Sequence, residues 1–232
     1  MADYYIKENR MEQKKDIDII EEYWDNRSET FDEDHATEDV DLWRSELDKL
    51  CGGKKGLKVL DIGTGTGFLA IMLAELGHEV TGIDVSEEMM ELGKGHAADR
   101  GVDVTFIKAE GEHMPFEDDT FDLIVNCRVL WTLTEPEVSL KEWKRVLKPG
   151  GRMMGFMRAH TDEPGEWNAY DGKLEGDLPL RNATKEMYIK YLKEAGYSNP
   201  KVLDMDPGLT VKKEGKNGKP MQPWECVYGE KA

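Results

Sequence analysis

A strand that runs straight into three alternate glycines leaves a chain few ways to fold. In "VLDIGTGTGFLA", residues 59 to 70, an apolar β-branched run reads as a strand covered on both faces, and Gly63, Gly65 and Gly67 follow at every second position. Without Cβ atoms, such a turn can adopt positive φ and bring its backbone close to a ligand. The next stretch, "FLAIMLAEL", is apolar nearly all round, as a helix packed on a sheet is, and Gly77 ends it.

The same alternation continues. "EVTGID" is a second strand; Ser86, Glu87 and Glu88 then open a helix that ends near Gly101. "VDVTFIKAE" is a third strand and "FDLIVNC" a fourth. Thr134 and Glu137 in "TEPE" have capping-box spacing ahead of Leu140, Trp143, Val146 and Leu147, and "LKPGG" ends that helix at Pro149 and starts a fifth strand, "RMMGFM". Strands and helices alternating at this spacing predict an α/β fold with a doubly wound parallel sheet. After a helix over about 184 to 195, two strands near 200 to 206 and 222 to 229 have no helix between them and are expected to pair antiparallel.

One domain is expected from 232 residues. Residues 1–50 form a helical, aromatic cap, 57–157 a ligand-binding core, 158–183 a lid loop rich in Gly, Pro and acids, and 184–232 a closing helix and hairpin. The formal net charge is −17, from 48 Asp+Glu against 31 Lys+Arg, and the sequence has no basic stripe, which argues against nucleic acid or an anionic membrane as partner. Cys51, Cys127 and Cys226 are odd in number and far apart, so reduced thiols, no metal site and a cytoplasmic location are expected. No stretch has signal-peptide or membrane-span character.

Spacing and charge narrow the ligand. A dinucleotide loop places its third glycine one position later than Gly67, and a Walker loop needs a lysine that is missing here. Acids stand at the strand ends instead: Asp61, Asp84 and Glu110. They suit ribose hydroxyls and a cationic ligand and oppose a bare pyrophosphate.

Taken in order, "VLDIGTGTG", "GIDVS", "AEGEHMPFEDDTFDLIV" and "RVLKPGG" resemble the motifs of the class I S-adenosylmethionine-dependent methyltransferases, in particular the small-molecule type 11 group, over residues 57 to 157. The resemblance implies a three-layer Rossmann-like fold with a mostly parallel seven-stranded sheet and an antiparallel C-terminal hairpin. It also implies S-adenosylmethionine as cofactor, with S-adenosylhomocysteine as product. Asp84 would then accept both ribose hydroxyls, and Gly63, Thr64, Gly65 and Gly67 would form the loop around the methionine portion, with Asp61 near its ammonium. Glu110 and Gly111 would face the adenine, Val85 would cover it, and the Asn126 carbonyl would meet the ammonium. Bland alternatives stand beside these roles: Asp61 can brace the turn, Glu110 can be a solvated loop acid, and Asn126 can merely end a strand.

Displacement at a sulfonium proceeds through positioning and water exclusion, so no catalytic dyad is required and none is assigned. Tyr23, Arg27, Arg128, Trp131, His160 and Trp167 are candidates to touch a small-molecule acceptor or to close over it. A nicotinamide-dependent oxidoreductase and a non-catalytic S-adenosylmethionine-binding protein are the competing readings. Acceptor identity and oligomeric state have no signature in the chain.

Overall fold

A computed structural model describes residues 2–35, 38–160, 170, 174, 178–210 and 221–232, the side chains of 2–15 and 33–35 excepted. Seven strands form one sheet in the order β3-β2-β1-β4-β5-β7-β6. β1 (Lys58–Ile62), β2 (Glu79–Asp84), β3 (Val104–Lys108), β4 (Phe121–Cys127) and β5 (Leu147–Arg158) run parallel. β7 (Trp224–Glu230) lies between β5 and β6 (Ser198–Asp204) and is antiparallel to both.

Period-two alternation sorts the strand side chains onto two faces. Val59, Val80, Leu123, Val125, Met154 and Phe156 pack against α2 (Val40–Leu50) and α3 (Phe68–Glu75) through Trp43, Leu47, Leu69 and Leu73. Leu60, Ile62, Ile83, Ile124 and Met153 face α5 (Pro136–Val146) and α6 (Lys185–Glu194) through Leu140, Trp143, Tyr188 and Leu192. The doubly wound, three-layer sheet with its antiparallel last strands is the expected fold.

α4 (Glu87–Arg100) opens at Ser86, whose hydroxyl accepts the Met89 amide at 3.2 Å, and closes at Gly101 with φ +67°. α1 (Ala2–His35) crosses the carboxyl ends of β2 and β3. There Ser86 Oγ donates to Asp25 Oδ1 at 2.6 Å, and Lys108 Nζ reaches Glu21 at 2.8 Å.

Two local expectations are corrected. No capping box forms at Thr134: Pro136 occupies the first helical position, which needs no N–H, so α5 begins at Pro136 with Glu135 as its N-cap, and no side chain caps it. The helix also stops before Pro149: α5 ends at Val146, and the whole of "LKPGG" lies in β5. The strand begins at Leu147 opposite Phe121, and the register then slips so that Arg152 pairs with Leu123, residues 148 to 151 forming the bulge.

The expected lid is described only at positions 158–160, 170, 174 and 178–183, and Trp167 lies outside the described residues. Among the described residues no helix is long and apolar enough to cross a membrane, and no group of three or more His, Cys, Asp or Glu could hold a metal ion.

Candidate functional site

The loop after β1 is held by its own backbone. Gly63, Gly65 and Gly67 have φ of +63°, +53° and +86°, all in the left-handed region that other residues avoid. A Cβ on Gly63 would collide with Val129, so the loop and the segment after β4 meet only because that atom is missing. The Thr64 amide donates to the Ile83 carbonyl at 2.9 Å and the Gly65 amide to Asp84 Oδ2 at 2.8 Å, which ties the loop to the end of β2. Asp84 Oδ1 accepts the Ser86 amide at 2.9 Å. Burial pushes the Asp84 carboxyl up to about 6, although the Ser86, Gly65 and Val85 amides favour its charged form.

A cavity of about 980 Å³ opens beneath this loop at the carboxyl ends of the strands, at the upper end of the roughly 300–1,000 Å³ typical of ligand clefts. Of the residues singled out from the sequence, Gly63, Gly65, Asp84, Val85, Gly111, Arg27, Arg128, Trp131 and His160 line it. Trp131 stacks on Tyr170, with centroids 5.8 Å apart. The Gly111 carbonyl accepts the Trp143 indole N–H at 3.0 Å.

The others lie off the wall. Asp61 is buried on the α3 face and accepts the Thr64 hydroxyl at 2.8 Å, bracing the turn; burial pushes its carboxyl up to about 7. The Thr64 side chain packs where a Cβ on Gly82 would stand, and Gly67 caps α3. Asn126, on β4, is fully buried against Gly155 of β5, and among the described residues neither of its side-chain polar atoms is bonded. Glu110 is half-buried outside the cavity, and Tyr23 packs edge-on against Trp24 and Tyr170.

Several wall residues were not among the sequence candidates. Ile17, Ile20, Trp24 and Phe31 line the cavity beside Arg27, all from one face of α1. Their spacing of three and four residues is a helical stripe that could have revealed them. Thr134 contributes a buried hydroxyl with no partner among the described residues, and Glu112 a buried carboxyl that accepts Ser139 Oγ at 3.0 Å and that burial shifts upward.

At the opposite end from Asp84, Arg158 joins Arg128 on the wall, and both guanidinium groups lie over the Trp224 ring. Cys127 also lines the cavity, its thiol pushed up to about 12 by burial and so inert as a nucleophile.

A parallel sheet whose order reverses at β1 and β4, closed by one antiparallel strand slotted between the last two positions, is the architecture of the class I methyltransferases. A profile of the family described as "Methyltransferase domain" matches residues 60–155. The ubiquinone/menaquinone biosynthesis C-methyltransferase UbiE of Bdellovibrio bacteriovorus is 33% identical over 165 residues, which are 68% of this chain and 70% of the relative. Its namesake from Azotobacter vinelandii is 38% identical over 144 residues, 60% of this chain but only 57% of the relative. Among solved structures, a SAM dependent methyltransferase from Aquifex aeolicus aligns with TM-score 0.62 at 25% identity, covering 82% of this chain and 89% of that one. The chain belongs to the S-adenosylmethionine-dependent methyltransferases.

Proposed function

We propose that the cavity binds S-adenosylmethionine at the Gly63–Asp84 end and a small-molecule acceptor toward Arg128, and that the protein transfers a methyl group between them, leaving S-adenosylhomocysteine. The observation that carries this is the pairing of a Cβ-free loop with a single oriented carboxylate at the end of β2, in a cavity roomy enough for two ligands.

The residues fit the group. Each Asp84 oxygen is already held by one backbone amide, so the carboxylate is fixed in orientation and keeps lone pairs for two vicinal hydroxyls. Val85 and Gly111 offer an apolar edge and a bare backbone for a purine. When bound, S-adenosylmethionine supplies an electrophilic methyl on a sulfonium.

The chain's own part is placement and the exclusion of water. α1 lays Ile17, Ile20, Trp24 and Phe31 over the opening, and Trp131 backed by Tyr170 walls the middle. No side chain is assigned as a base.

Calorimetric titration with S-adenosylmethionine, S-adenosylhomocysteine and NADH, with Asp84→Ala alongside, tests the reading. Micromolar binding of the first two, weakened at least tenfold in the variant, is expected. Binding of NADH alone would end it. A screen with an isotopically labelled methyl group then finds the acceptor.

A further inference from the structure

Around Arg128 the charges do not balance. Glu38 Oε1 receives Arg158 at 2.6 Å and Arg128 at 3.4 Å, while Oε2 accepts the indole N–H groups of Trp224 at 2.9 Å and Trp43 at 3.3 Å. The Glu38 side chain is wholly buried, so one negative charge serves two guanidinium groups. The remaining partners of Arg158 are neutral, the Thr210 hydroxyl at 2.6 Å and the Gln222 carbonyl at 2.9 Å, and the neighbouring Cys127 is a neutral thiol. Among the described residues the cluster carries one positive charge in excess, on the wall of a cavity, in a chain of net charge −17. A half-buried charge without a full counterion is unfavourable unless a ligand completes it.

Arg128 is the member open to a ligand. Its contact with Glu38 is long for a charged hydrogen bond, and its side chain remains 25% exposed on the cavity wall. Its backbone is held at φ +62°, a conformation that suits glycine, with the amide donating to Phe156 O at 2.9 Å. Strain of this kind persists where surrounding structure over-determines it, and it gathers at ligand sites. The guanidinium carbons of Arg158 and Arg128 stand 4.1 and 5.2 Å from the Trp224 centroid, a rigid aromatic floor that keeps both planes oriented.

We propose that the acceptor is a small organic acid whose carboxylate is anchored by Arg128, with Arg158, Glu38 and Trp224 as the support that orients it. This rests on the methyltransferase reading and sets the acceptor apart from the neutral quinones in the names of the UbiE relatives. Arg128 follows β4, two strand spacings or about 10 Å from β2, and its guanidinium lies farther out still, over Trp224 of β7, so the anchor is well separated from the ribose end at Asp84. Arg27, Arg181 and His160 line the same cavity but are engaged with other groups.

A cofactor's own carboxylate is the other source of such an anion, and the test separates the two. Benzoate and indole-3-acetate, with benzamide and indole-3-acetamide as neutral partners, are titrated calorimetrically into wild type, Arg128→Gly and Arg128→Lys, with and without S-adenosylhomocysteine. Glycine suits the backbone at 128 and leaves the Glu38–Arg158 pair in place, so the variant is expected to fold, and a melting curve checks it. Wild type is expected to bind at least one acid, with its amide at least tenfold weaker. Arg128→Gly is expected to lose the acid at least tenfold with the S-adenosylhomocysteine affinity changed less than threefold, while Arg128→Lys keeps an intermediate affinity.

Absence of acid binding to wild type, equal binding of acid and amide, or acid binding undiminished in Arg128→Gly overturns the proposal. A tenfold loss of S-adenosylhomocysteine in Arg128→Gly also overturns it, assigning Arg128 to the cofactor. If Arg128→Gly does not fold, acid binding to Arg128→Lys equal to wild type supports only a structural charge and overturns the anchor. Failure of wild type to bind S-adenosylhomocysteine sinks the methyltransferase reading separately, because the acid titrations without it still decide Arg128.

Discussion

Asp84, half-buried, and Asp61, buried, are both acids at strand ends and both shifted upward, and they do different work. Asp84 ends β2 on the cavity wall, and if it accepts ribose hydroxyls it must do so ionised. With the free carboxyl near 6, affinity for S-adenosylhomocysteine is expected to be flat above pH about 7 and to fall by up to about tenfold per pH unit below 6, each unit being worth about 1.4 kcal/mol. Calorimetry at pH 5, 6 and 7.5 measures it; an affinity independent of pH removes Asp84 from the binding step. Asp61 braces the loop from the α3 face, where strand alternation places it beside Val59 rather than Leu60. That choice of face is invisible while the end of the strand is uncertain by one residue, because a one-residue slip flips the side chain across the sheet. A raised acid binds more protons folded than unfolded, so its contribution is full below the unfolded pKa near 3.8 and is lost as pH rises through about 7. Asp61→Asn does not titrate, and its melting temperature relative to wild type is therefore expected to rise between pH 5 and pH 8. Scanning calorimetry at both values reads the difference, and a constant offset argues that Asp61 titrates alike in both states.

Among the elements, α1 lies across the sheet's carboxyl ends rather than in its two main cores. Its described attachments include the Ser86–Asp25 hydrogen bond, the exposed Lys108–Glu21 and His96–Asp32 pairs, of little weight, and the small cluster of Ile20, Tyr170, Leu174 and Leu178. α3, by contrast, buries five consecutive residues from Leu69 to Leu73. Amide exchange over residues 17–32 is thus expected to be at least tenfold faster than over α3 in the free protein, and to slow on addition of S-adenosylhomocysteine. Unchanged exchange on adding the ligand would show that α1 hides the sheet without closing over the cavity. Tyr23 and Arg27 were visible as candidates because aromatics and arginine stand out among acids, yet the face that lines the cavity is the stripe Ile17, Ile20, Trp24, Arg27 and Phe31. The Thr134 spacing misleads for a related reason. Its spacing to Glu137 is right, but Pro136 starts the helix one residue later and leaves that hydroxyl facing the cavity.

At the scale of the whole molecule, short apolar runs bounded by glycines, prolines and capping residues were enough to predict every parallel strand and the antiparallel pair, because those signals are local. The Glu38 cluster was not predictable this way: Arg158 lies 120 residues from Glu38 and Trp224 lies 186, and only the sheet brings them together. Net charge acts over the longest range of all. At −17 the protein presents a negative field to everything that approaches it, extending about 30 Å at 10 mM salt and about 8 Å near 150 mM. S-adenosylmethionine bears one net positive charge and S-adenosylhomocysteine none, so the field steers the first and ignores the second. Stopped-flow association of S-adenosylmethionine is therefore expected to slow severalfold between 10 and 300 mM salt while that of S-adenosylhomocysteine changes less than about twofold. An organic acid entering the same cavity must cross that field before Arg128 can hold it, and its association is expected to quicken over the same range. Three ligands of charge +1, 0 and −1 thus give three signs of salt dependence. If all three respond alike, the cavity is shielded from the surface charge and entry is governed by the opening of α1 instead.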